Sequence, residues 1–135
     1  MKIKPTWDNE GKTIIRHIFE RGWGWTDFHQ ALEQASVMMD EVDHRVDVIL
    51  DFRDANLIPN GAITQVKKAY TNPKHHNVGT TIVIGANSFM QALVSVGTKL
   101  APNSLENWDV EFARTLDEAY SIVTRKNSTS TGQTS

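Results

Sequence analysis

Val46-Asp47-Val48-Ile49-Leu50-Asp51-Phe52 is the stretch on which the fold turns. It is short, rich in β-branched and aliphatic residues, and almost continuously apolar. A strand reads this way when both of its faces are covered, as in a parallel sheet flanked by helices. The run ends in a polar cluster, Asp51, Arg53, Asp54 and Asn56, where the chain should leave the sheet.

Working outward, Lys2 to Trp7 alternates in polarity, with Ile3, Pro5 and Trp7 on one face. Period two predicts a strand, and Pro5 predicts that it lies at an edge, because proline cannot donate to a ladder. Asp8-Asn9-Glu10-Gly11 is a turn cluster. Thr13 to Phe19 is a second strand, so the chain is expected to open with a hairpin. Gly22-Trp23-Gly24-Trp25 then forms a loop. Thr26 is the expected cap of a helix to about Glu41, whose apolar face is Phe28, Ala31, Leu32, Ala35, Met38, Met39 and Val42. The methionine pair is read as core filling.

After the organising strand, Ile58-Pro59-Asn60-Gly61 punctuates a loop and Asn60 is a candidate cap. Ala62, Ile63, Val66, Ala69 and Tyr70 predict a short second helix, stopped by Thr71-Asn72-Pro73. Val78 to Ile84 is a further strand. Gly85-Ala86-Asn87 turns the chain, and Phe89, Met90, Leu93, Val94, Val96, Gly97 and Leu100 predict a third helix capped by Asn87. Trp108, Val110 and Phe112 alternate with Asp109 and Glu111 as a half-exposed edge strand. Thr115-Leu116-Asp117-Glu118 is a capping box opening a last helix, with Leu116, Ala119, Tyr120 and Val123 on its apolar side. The expected fold class is α/β, a mixed, mostly parallel five-stranded sheet with about four helices in the order ββαβαβαβα. Residues 1–125 form the expected single domain, and 126–135 a disordered polar tail, too poor in apolar residues to pack.

Composition narrows the function. The chain has 135 residues and a net charge of −2, against a general nucleic-acid binder. It has no cysteine, which excludes thiol catalysis and thiolate metal sites. The N-terminus lacks the apolar core of a signal peptide, and no apolar run reaches the roughly 20 residues of a membrane span. A cytoplasmic protein is the expectation, without integral membrane segment or cofactor.

Parallel strands deliver their carboxyl ends to one edge of the sheet. The loops leaving Phe19, Phe52, Ile84 and Phe112 should therefore meet there, bringing Trp23, Trp25, Arg53, Asp54, Pro59, Asn60 and Asn87 to a common rim. These seven are the candidate partner- or ligand-binding residues. The competing reading makes Thr26, Asn60, Asn87 and Thr115 plain caps and Asp51, Arg53 and Asp54 a local ion pair. For the two tryptophans, the structural reading is a lid over the sheet end and the functional one an aromatic anchor.

The strand and helix order, with Leu50-Asp51-Phe52-Arg53 and Ile58-Pro59-Asn60-Gly61, resembles the STAS superfamily, more narrowly its SpoIIAA-like (STAS/SEC14-type) bacterial branch. Val83-Ile84-Gly85-Ala86-Asn87 and Phe112-Ala113-Arg114-Thr115-Leu116-Asp117-Glu118-Ala119 extend the likeness over about residues 1–124. The resemblance implies a regulatory module that binds a protein partner, as anti-sigma-factor antagonists do. Alternatively, it implies a SEC14-like carrier of a small apolar or anionic lipid-like ligand. In the antagonists the helix after the central strand opens with Asp-Ser-Ser-Gly, where a serine accepts phosphate. Here Asn60 precedes the glycine and the hydroxyl is missing, so no phosphosite is carried over; Thr64, a turn further on, is not its equivalent.

Catalytic and metal-binding residues are not expected. His75-His76 lacks a partner at ligand spacing, His17 and His44 lie away from the strand ends, and neither a Gly-x-Gly-x-x-Gly nor a P-loop lysine motif occurs. Self-association as a homodimer through the edge strand near Trp108 is a further expectation.

Overall fold

The computed structural model describes residues 2–55, 59–62, 64–65, 68, 75–85 and 109–134, with side chains as far as 128. Five strands form one sheet in sequence order: β1 (Ile3–Trp7), β2 (Ile14–Phe19), β3 (Val46–Asp51), β4 (Val78–Ile84) and β5 (Asp109–Ala113). β1 pairs antiparallel with β2, and every later pair is parallel. The organising stretch is thus the central strand, with parallel neighbours on both sides. Phe52 falls just past its end; β5 is described from Asp109, and Trp108 lies outside the described residues.

Pro5 is on the edge strand, as its chemistry requires. The Asp8 N–H donates to the Ile14 carbonyl and the Lys2 carbonyl accepts from Glu20, so even-numbered residues of β1 face β2. Pro5 therefore points its imide away from the ladder, where no donor is needed.

Two helices lie among the described residues, α1 (Trp25–Asp40) and α2 (Leu116–Thr134), in the order ββαβββα. The helices expected at 62–70 and 89–100 fall wholly or largely outside the described residues. Of the first, Ala62, Thr64, Gln65 and Lys68 have helical backbone, and the Gln65 N–H donates to the Gly61 carbonyl. Gly61 has a φ of 85°, a left-handed turn that glycine adopts without strain.

The α1 start differs from the expectation. Gly24, not Thr26, is the cap: the Asp27 carboxylate accepts from the Gly24 N–H at 3.0 Å, and the Gly24 carbonyl accepts from Phe28. Thr26 is exposed within the first turn. The helix is therefore capped two residues before Thr26, with the carboxylate at its third position satisfying the cap's own N–H. At α2 half of the expected capping box forms: the Glu118 N–H donates to Thr115 Oγ1 at 3.1 Å, while the Glu118 carboxylate accepts from the Arg114 N–H at 3.3 Å rather than from that of Thr115.

The helices take opposite faces. Ala35 and Met39 of α1 pack with Ile15, Val46 and Val48. Ala119, Ile122 and Val123 of α2 pack with Ile14, Ile49, Ile82, Ile84 and Ala113. Each fully buried isoleucine contributes roughly 1.5–3 kcal/mol. α2 does not stop where the polar tail was expected to begin, at residue 126. Asn127 donates to the Asp47 carboxylate at 3.0 Å, and the Lys126 ammonium lies 3.2 Å from Asp109. Apolar content alone misses such polar anchors. No described helix is long and apolar enough to cross a membrane.

Candidate functional site

The carboxyl rim of the sheet divides into an aromatic side, on the α1 face, and an ionic side, on the α2 face. The division follows from alternation in β3: Phe52 continues the α1-facing parity, Asp51 the other.

On the aromatic side, Phe19 at the end of β2 stacks on Phe52 at 4.0 Å. Trp23 meets Phe19 edge-on at 5.0 Å and Trp25 at 4.9 Å, and Trp25 meets Phe28 at 5.5 Å. Such geometries add about 0.5–1.5 kcal/mol each beyond area burial. Trp23 is only 4% exposed and belongs to the core, so it presents little surface to a partner. Trp25 is half-buried, and its indole N–H donates to the Asn60 carbonyl at 2.8 Å. That bond ties the loop after β2 to the chain following β3. His29 and Gln65 add a second tie at 2.6 Å.

On the ionic side, Asp51 is 5% exposed. Its carboxylate accepts from Arg53 Nε at 2.9 Å, from the Arg53 terminal nitrogen at 2.7 Å and from the Arg53 backbone N–H at 3.1 Å. Burial pushes the Asp51 carboxyl up. The hydrogen bonds and charge of Arg53, with the charge of Arg16, outweigh burial and hold it below its ordinary range. Arg53 is raised in turn, chiefly by its hydrogen bond to Asp51. The chain of charges continues inward: Arg16 lies 3.9 Å from Asp51 and 3.3 Å from Asp8, and the Tyr120 hydroxyl of α2 donates to Asp8. Desolvation, then that bond, pushes the Tyr120 phenol up to about 12.

Gly85 closes the rim between β3 and β4. Its φ is 76°, and a Cβ there would meet the Arg53 backbone at 3.2 Å, so the two loops touch backbone to backbone.

The structure thus brings Trp23, Trp25, Arg53, Pro59 and Asn60 to one end of the sheet, with Asp54 beside Arg53. Trp25, Pro59, Asn60, Arg53 and Asp54 retain exposed surface. Asn87 lies outside the described residues. Sequence reasoning passed over Asp8, Arg16 and Tyr120. A polar Arg16 inside an apolar strand was the one available signal; the Asp8–Tyr120 bond spans 112 positions and leaves none.

The amino edge holds a separate polar cluster. Asp47, 1% exposed, accepts from Arg45, the Thr80 N–H and Asn127. Thr80 Oγ1 accepts from Arg45 and donates to Asp109. His75 is occupied structurally: Nε2 contacts Asp40 at 2.7 Å and Nδ1 accepts from the Asn77 N–H. Among the described residues no group of three His, Asp or Glu side chains is placed to hold a metal ion.

Comparison of the chain with family models, with curated proteins and with solved structures gives no match; what the structure shows is a mixed five-stranded α/β sheet.

Proposed function

We propose that the protein is a noncatalytic interaction module of STAS type that engages a protein partner through its carboxyl rim, without a phosphoserine switch. The reading is carried by the Trp25–Asn60 bond, which fixes a half-exposed indole and the post-β3 turn as one surface. A pre-ordered aromatic patch beside charged groups is what interface anchors require, because little entropy is lost on binding. Arg53 and Asp54 at its border supply charge for orientation.

Trp23 and Arg53 are poor targets for the test, since one is core and the other holds a buried carboxylate. Asp54 and the Asn60 side chain are exposed. The double variant Asp54→Arg/Asn60→Arg should keep the wild-type melting temperature and lose the proteins that the wild type captures from host lysate. Unchanged capture by the folded variant would defeat the reading.

A SEC14-like carrier of an apolar ligand with a polar head is the second reading. It is supported by two groups buried on the α1 side, His17 Nε2 and Trp23 Nε1, that have no hydrogen-bond partner among the described residues. Native mass spectrometry of protein from its own host separates the two: a bound mass lost on organic extraction favours the carrier.

A further inference from the structure

The two edges of the sheet are not alike. β1 turns the nitrogen of Pro5 outward, which removes the central donor from that edge. β5 has no proline. The Gly85 N–H donates to the Ala113 carbonyl at 3.3 Å, so Ala113, Glu111 and Asp109 face β4. By alternation Val110 and Phe112 direct their N–H and C=O groups outward, and among the described residues no element pairs with them.

We propose that the outer edge of β5 is the seat of a two-fold contact with a second copy of this chain, strand against antiparallel strand. Centred on Glu111, the pairing sets Val110 opposite Phe112 of the other copy, and these two exchange both of their hydrogen bonds on each side of the axis. The apolar side chains of Val110 and Phe112 already pack on the α1-side core, and the pairing continues that layer across the axis.

Charge decides whether the edge is open or guarded. Acidic side chains on an edge normally repel a second strand, and Glu111 would face its own copy directly. Here α2 supplies compensation. Lys126 lies 3.2 Å from Asp109 and 3.6 Å from Glu111, and Arg125 lies 3.7 Å from Glu111. Among the described residues, these two acids and two bases per copy balance at the axis. The basic pair sits on the part of α2 that continues into the polar tail, which gives that extension a role.

The absence of cysteine makes the test direct. A central non-hydrogen-bonded pair brings Cα atoms to about 4.5 Å, inside the roughly 4.4–6.8 Å that a disulfide spans. Glu111→Cys should crosslink to itself on mild oxidation far faster than Glu33→Cys, an exposed site on α1. Light scattering at about 100 µM, where even a weak pair forms, should give twice the 15.2 kDa chain mass. Val110→Pro removes an outward donor without touching the β4 ladder and should give single chains, while Val110→Ala should not. Should Val110→Pro fail to fold by circular dichroism, Lys126→Glu serves instead, weakening association by about tenfold or more through uncompensated charge. Wild type of single-chain mass, Glu111→Cys no faster than Glu33→Cys, or a folded Val110→Pro or Lys126→Glu that still pairs like wild type would each overturn the proposal.

Discussion

The side-chain amide of Asn127 donates to the buried carboxylate of Asp47 at 3.0 Å, joining the late part of α2 to the amino end of the central strand across 80 positions. Asp47 has three other donors, from Arg45 Nε, the Arg45 terminal nitrogen and the Thr80 N–H. Removing Asn127 therefore costs one bond of several, whereas removing Asp47 takes the shared acceptor from Arg45, the buried Thr80 N–H and Asn127 at once. Asn127→Ala should destabilise by about 1 kcal/mol and Asp47→Ala by about 3 kcal/mol, both read from urea unfolding midpoints. Equal effects would contradict this ranking.

Gly79 sits against that same pair. A Cβ at this position would fall on Arg45 Nε and Asp47 Oδ1. Neither can withdraw without losing the other, so Gly79→Ala should cost roughly 1–3 kcal/mol. Gly11→Ala is the control, because its Cβ would meet only Thr13 at an ordinary 3.7 Å. Thermal melts of the two variants provide the comparison.

His17 makes stability depend on pH. It is 2% exposed on β2, and desolvation lowers its pKa from 6.5 to about 4. Above pH 6.5 both folded and unfolded chains carry it neutral. Between 6.5 and 4 the unfolded chain takes up a proton that the folded one refuses, so stability falls as pH falls, by up to about 3 kcal/mol. The lowered Asp51 carboxyl acts further down: its contribution is present above 3.8 and is lost on acidification through its folded value. Urea midpoints measured from pH 7.5 to 5 should decline, and the decline should flatten in His17→Leu.

Arg53 holds Asp51 by two side-chain bonds while remaining partly exposed itself. Arg53→Ala should cost about 1–2 kcal/mol, and Arg53→Lys should recover only part, because a single ammonium cannot reproduce the fork. A double-mutant cycle with Asp51→Asn measures the coupling between the two, which should exceed that of the exposed pair Lys4–Glu20, set 3.8 Å apart.

Strands were legible because each carries its own period. Val46 to Asp51 and Val78 to Ile84 could be read from apolar content alone, and Pro5 located the edge. Helix starts were legible where the cap is a hydroxyl, as at Thr115, and not where it is Gly24, whose partner is a carboxylate further on. The rim was legible as a place, since strand direction alone gathers the exits of β2, β3 and β4. Its division into two sides was not, because the turn after Phe52 decides whether Arg53 joins the tryptophans or Asp51. Trp23 looked like Trp25 in sequence, but the Phe19 and Phe52 rings enclose it. The Asp8–Arg16–Asp51 chain and the Asn127 anchor join positions far apart along the chain, which no local pattern records.

The outward imide of Pro5 also sets a limit on growth. A sheet able to accept another strand at either margin would polymerise without end, as fibres do. With the Pro5 margin short of its central donor and the other taken up by the proposed pairing, assembly would terminate after one step.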